Sequence, residues 1–210
     1  MRRLLWSLLL LGLLPPAARA QRVCPGYVVL ANGDSPRGAV HLTSDFEQQQ
    51  FVKFIPLASP DAKPLRLTDE EVVAYGYVRG PDTVRYRNCG PALASVPVVL
   101  ATGRSATLFP ISRLRLGSLL RVLQAGRVQV YEQYIPIRGG NSFFRNVLLR
   151  TGTGAFVGTY WWNFRPRAAE YFADCPELVA DLRAGRYPPR ALPQVARRYN
   201  AWYQSHPHSL

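Results

Sequence analysis

Acid–base or nucleophilic catalysis near neutral pH most often recruits histidine, and the chain has three: His41, His206 and His208. A Ser-His-Asp or Cys-His arrangement would have to use His41, which falls on a predicted strand, and no Gly-x-Ser-x-Gly elbow accompanies it. His206 and His208 stand in a Pro-containing tail, and two imidazoles without a third or fourth ligand hold a metal weakly. Among the carboxylates, Asp69-Glu70-Glu71 immediately precedes the apolar Val72-Val73, the pattern of a solvated turn leading into a strand. Gly152-Thr153-Gly154 lacks the Lys of a phosphate-binding loop and is flanked by strand-like runs, so it reads as a hairpin turn. No catalytic residue, metal ligand or cofactor is singled out, and the expectation is a non-enzymatic protein.

Arginine is the residue type that does stand out. Residues 83–169 contain twelve arginines and a single acid, Glu132, whereas residues 21–82 carry six basic and eight acidic side chains. A guanidinium is a planar fork of donors that matches carboxylate, sulfate or phosphate. The expected anion-binding set is Arg113, Arg115, Arg121, Arg127, Arg145, Arg165 and Arg167. Beside the last two runs Tyr160-Trp161-Trp162-Asn163-Phe164; Trp161 and Trp162 are the candidates for stacking a sugar or base, with core packing as the alternative. Only two lysines, Lys53 and Lys63, occur in the chain, a skew that genome composition alone also produces. The sequence leaves both readings of the arginine excess open.

These side chains must be positioned by an exported fold. Met1-Arg2-Arg3, the apolar run Leu4–Leu14 and an Ala18-Arg19-Ala20 ending form a signal peptide over residues 1–20, cleaved before Gln21. The run is about half the roughly 20 apolar residues that span a bilayer, and no later stretch is long enough, so no transmembrane helix is expected. In an oxidising compartment thiols pair. Cys24 with Cys89 is the expected disulfide, Cys89 with Cys175 the alternative, and one thiol is left over.

From residue 21 to 164 short β-rich runs alternate with turn residues, predicting antiparallel strands in a small sheet or barrel-like unit. Tyr27–Ala31 and Gly38–Leu42 flank Asn32-Gly33 as a hairpin. Further strands are predicted at Phe51–Leu57, Val72–Val78, Thr83–Arg87, Val96–Ala101, Ala106–Ile111, Leu119–Leu123, Arg127–Ile135, Asn146–Arg150 and Ala155–Phe164. Over residues 165–210 the period becomes helical. One helix is predicted over about 174–184, with Asp174 and Glu177 at capping-box spacing and Gly185 behind it, and a second over about 191–204. Strands first and helices last define an α+β, mainly β fold with two C-terminal helices capping the sheet.

The stretch Gly26-Tyr27-Val28-Val29-Leu30-Ala31-Asn32-Gly33-Asp34-Ser35-Pro36-Arg37-Gly38-Ala39-Val40, with Phe51-Val52-Lys53-Phe54, resembles the N-terminal unit of secreted proteins of unknown function common in the Bacteroidetes group. The similarity continues through Leu123–Tyr131, Tyr171–Leu178 and on to Arg198-Tyr199-Asn200. It implies an exported bacterial domain and brings neither an activity nor site residues. The functional expectation is a periplasmic or envelope interaction module whose Arg-rich strands meet lipopolysaccharide, an acidic polysaccharide or an acidic protein. Export disfavours nucleic acid. The alternatives are an envelope-glycan hydrolase with paired carboxylates and a structural component of an outer-membrane assembly.

Overall fold

In the computed structural model, residues 23–90, 118–136, 143–159 and 163–206 are described. The predicted signal peptide, the strands predicted at Val96–Ala101 and Ala106–Ile111, Arg113, Arg115, Trp161 and Trp162 lie outside them.

Ten antiparallel strands form one sheet: β1 (Val23–Leu30), β2 (Arg37–His41), β3 (Phe51–Pro56), β4 (Leu65–Thr68), β5 (Val72–Arg79), β6 (Asp82–Asn88), β7 (Leu119–Gln124), β8 (Val128–Pro136), β9 (Phe143–Thr151) and β10 (Val157–Thr159). Their spatial order is β10-β9-β8-β7-β6-β5-β1-β2-β3-β4, so the sheet is open, with β10 and β4 at its edges. Two meanders, β1–β4 and β5–β10, join where β5 returns to pair with β1. Three helices follow: α1 (Phe164–Tyr171), α2 (Pro176–Arg183) and α3 (Leu192–Ser205). The fold is α+β, mainly β, with one more helix than the periodicity indicated. None of the described helices is long and apolar enough to cross a membrane.

Side chains alternate across a strand and cross-strand partners share a face, so the register assigns every strand residue a side. The inner face carries Val28, Val40, Phe54, Tyr75, Tyr86 and Leu119 over one half of the sheet and Val128, Val130 and Leu149 over the other. All three helices bury their apolar residues on that second half, through Phe164, Phe172, Leu178, Leu182, Leu192, Val195 and Tyr199. A strap between β2 and β3, turning through a short 3-10 segment at Glu47–Gln49, crosses the inner face. There the Gln49 amide donates to the Tyr134 carbonyl at 3.1 Å and accepts from its N–H at 3.0 Å, and Phe46 stacks on Phe143.

One side chain anchors the last helix. Asn200 of α3 accepts from the Val128 N–H at 2.8 Å and donates to the carbonyls of Val128 (3.0 Å) and Ala125 (3.3 Å). This approach requires glycine at 126, where φ is 135° and any Cβ would collide with the Asn200 amide.

Helix starts differ from the predicted capping box. Cys175 occupies the N-cap of α2 without a side-chain bond and Pro176 opens the helix, while Asp174 accepts instead from the Tyr199 hydroxyl. Gly185 ends it as expected, with the Arg186 N–H on the Asp181 carbonyl. The last predicted strand shortens to β10, and Phe164 begins a helix because Pro166 sits in the first turn, where its missing N–H has no bond to make.

Candidate functional site

The other face of the sheet bears the charge. Along β6 burial alternates cleanly: Val84 and Tyr86 point inward and are buried, Thr83, Arg85 and Arg87 point outward and are exposed. The register from Tyr27↔Arg37, His41↔Lys53, Lys53↔Arg66, Gly76↔Arg85, Arg87↔Leu120 and Gln129↔Arg150 puts six cations on this outer face: Arg37, Lys53, Arg66, Arg85, Arg87 and Arg150. Among the described strands no aspartate or glutamate shares it: Glu132 pairs with Arg121 and Val147, and Asp82 with Arg79, all on the inner side. None of the six enters an ion pair with a described acid.

Two rows cross the sheet. In the first, Arg37 of β2, Tyr27 of β1, Gly76 of β5 and Arg85 of β6 are successive cross-strand partners. In the second, His41, Lys53 and Arg66 follow one another over β2, β3 and β4, and the Arg66 guanidinium lies 4.0 Å from the Phe51 ring centroid. Lys53 and Arg66 sit directly opposite, an arrangement that costs stability between like charges. Farther along, Arg150 caps the carbonyls of Gly154 (3.0 Å) and Thr153 (3.1 Å) and packs on Phe156. Arg87 and Arg150 both exert their charge on Cys89 and Tyr131, although burial dominates and pushes the Cys89 thiol up to about 11. At the end of β4, Glu71 is held below its ordinary value by the Thr68 N–H and hydroxyl, with a smaller contribution from Arg66.

Of the arginines expected from sequence, the five that are described, Arg121, Arg127, Arg145, Arg165 and Arg167, do not join this outer face. Arg121 and Arg145 do come together, but on the inner face, where both bind the two oxygens of Glu132, a carboxylate only 1% exposed. Burial pushes the neighbouring Tyr134 up to about 12, Glu132 adding to the effect. Arg127 stacks on Tyr203 of α3 at 3.7 Å, Arg167 pairs with Glu170 within α1, and Arg165 packs beside Gly185. The described members of the expected set are therefore divided among an inner ion cluster, a helix contact and the α1 surface. Arg37, Lys53 and Arg66 were missed because they belong to the acidic N-terminal half. The signal that finds them is strand parity: among the described residues that half keeps its cations, Lys63 excepted, in strands and its carboxylates in turns and at strand ends.

Cys24, Cys89 and Cys175 are all buried and free, so neither the expected Cys24–Cys89 bridge nor the Cys89–Cys175 alternative is formed. The reason is topological. Cys24 faces inward beside Val28 and Val40, whereas Cys89 packs with Leu120, Tyr131 and Leu148 on the outer side of the sheet, two strands away. Cys175 is buried with the helices on the inner side. Among the described residues no group of three or more His, Cys, Asp or Glu is placed to share a metal ion.

What fold and surface define together is an open, helix-backed antiparallel sheet with a cationic outer face. A scan against protein-family models and searches of curated proteins and of solved structures return no match for this chain.

Proposed function

We propose that the protein is an exported, non-catalytic envelope or periplasmic binding module that meets an anionic partner on the outer face of its sheet. The observation that carries this reading is the sorting of charge by strand parity: six outward cations with no outward carboxylate among the described strands, while Glu132 is turned inward between two arginines. A compositional surplus of arginine would be placed without regard to parity. Arg150 spends donors on the Gly154 and Thr153 carbonyls, but none of the other five is paired with a described acid, and arginine retains its charge at any physiological pH. The charged start and apolar run of residues 1–20 support placement outside the cytoplasm.

The test is binding of purified protein to an immobilised anionic glycan and to a neutral one over a salt series. The proposal expects selective binding that weakens steeply with salt and a loss of about tenfold for Arg85→Gln/Arg87→Gln, equivalent to about 0.7 kcal/mol per removed contact. Equal retention on the neutral glycan, or a double variant that binds like the parent, would overturn it.

A further inference from the structure

The first cross-strand row is more than a pair of charges. Gly76 lies in the middle of β5, where glycine forfeits stability for want of a side chain to pack. A Cβ there would come within 2.9 Å of the Tyr27 ring and 3.0 Å of both its hydroxyl and the Val84 carbonyl. The missing side chain thus seats the Tyr27 ring down on the backbone of β5, its hydroxyl directed towards β6. On either side of that ring, in the same row and on the same face, stand Arg37 and Arg85, both exposed. Neither has an ion pair with a described acid. Their backbones are three strand spacings apart, about 14 Å.

An aromatic ring sunk to sheet level between two forked donors has a specific complement. The ring offers an apolar surface to the C–H face of a sugar, and each guanidinium can take an oxyanion through two parallel bonds. We infer that this row is a subsite for an acidic polysaccharide, with one sugar ring over Tyr27 and carboxylate or sulfate groups on Arg37 and Arg85. The inference rests on the anion-binding reading above and names its partner. A polymer rather than a single acidic sugar is indicated because the cations continue beyond the subsite, to Lys53 and Arg66 on one side and to Arg87 on the other. An acidic protein surface would use the charges but leave the aromatic seat without a purpose.

The experiment uses three probes on the full mature chain: polygalacturonate, which has rings and carboxylates; polyphosphate, which has charge without rings; and a single-stranded oligonucleotide. The variants are Tyr27→Leu, which removes the ring while still covering Gly76; Tyr27→Phe, which keeps the ring; and Arg37→Lys/Arg85→Lys, which keeps the charge and loses both forks. Urea midpoints are measured alongside, so that a folding defect in Tyr27→Leu is seen directly and Tyr27→Phe and the double lysine variant decide the matter if one occurs. The expected result is that Tyr27→Leu and the double lysine variant each lose about five- to tenfold in affinity for polygalacturonate. Tyr27→Phe keeps the parent's affinity, and polyphosphate binding is unchanged in all three. Equal losses on polygalacturonate and polyphosphate, or no loss on either, would overturn the subsite while leaving anion binding intact. Tighter binding of the oligonucleotide than of polygalacturonate would overturn the choice of partner. A parent protein that binds none of the three would remove the underlying reading itself.

Discussion

Replacing Arg121 and Arg145 together by alanine separates an internal electrostatic role from a ligand-binding one. Glu132 is 1% exposed, and its two carboxylate oxygens are held by Arg121 at 3.1 Å and by Arg145. The arginines themselves are 36% and 54% exposed, so each is half-solvated while the acid is not. Loss of Arg145 alone leaves the Arg121 contact in place and removes a screened, solvent-facing partner, worth about 1 kcal/mol. Loss of both leaves a buried charge without a counter-ion, which costs about 3–5 kcal/mol. The double variant should therefore be destabilised by clearly more than the two single variants combined. Introducing Glu132→Gln into the double variant should restore about 2 kcal/mol, because the amide no longer needs a counter-charge. Urea denaturation followed by tryptophan fluorescence gives all the members of the cycle from their midpoints at constant m. Additive single effects, or a double variant as stable as the parent, would refute the claim that Glu132 is what these arginines serve. The single Arg145→Ala variant should also bind anionic glycan as the parent does, since it lies on the other side of the sheet.

Asn200→Ala removes three bonds to the β7–β8 hairpin and strands the N–H and carbonyl of Val128, itself 1% exposed, at a cost of about 3 kcal/mol read from the urea midpoint. Asn200→Asp, which keeps the acceptor and loses the donor, should fall between. Titration of the unfolded chain with a thiol reagent, in the absence of reductant, should count three thiols per chain, and a count of one would show that a disulfide forms after all. Burial raises Cys89 from 9.0 to about 11, so the folded state holds that proton more tightly than the unfolded state. Its contribution is complete below pH 9 and is lost as pH rises from 9 to 11, by at most about 2–3 kcal/mol. Cys89→Ala should flatten the fall in stability over that interval, and an unchanged slope would contradict the assignment.

How much of this was visible in the sequence depends on whether a feature is local. The Tyr171–Leu182 and Leu192–Tyr203 periodicities gave two helices within about two residues, and the Val72–Val78 and Thr83–Arg87 runs became the strands β5 and β6. Leu65–Thr68 was missed as a strand because four residues beside Pro64 and an acidic turn show barely one alternation. Register is the property that local patterns do not contain. Arg85 and Arg121 fall in the same arginine-rich window, yet the Tyr86↔Arg121 pairing turns one outward and the other inward. A slip of one residue would reverse them. Net charge misled for a related reason: residues 21–82 are acidic in sum, but Asp34, Asp45, Glu47, Asp61, Asp69, Glu70 and Glu71 lie in turns and the strap, leaving Arg37, Lys53 and Arg66 alone on the outer strands. The cysteine pairing failed because spacing along the chain says nothing about which side of the sheet a thiol faces.

In the proposed binding surface it is the location of the cations, rather than their number, that matters. This is tested most directly by two variants of equal net charge: Lys53, Arg66, Arg85 and Arg87→Gln on the outer face, and Arg165, Arg183, Arg190 and Arg197→Gln on the helices. Affinity for an acidic polysaccharide is measured for both at fixed salt. The outer-face variant should lose at least tenfold and the helix variant less than twofold. Equal losses in the two would contradict it and return the arginine excess to composition alone.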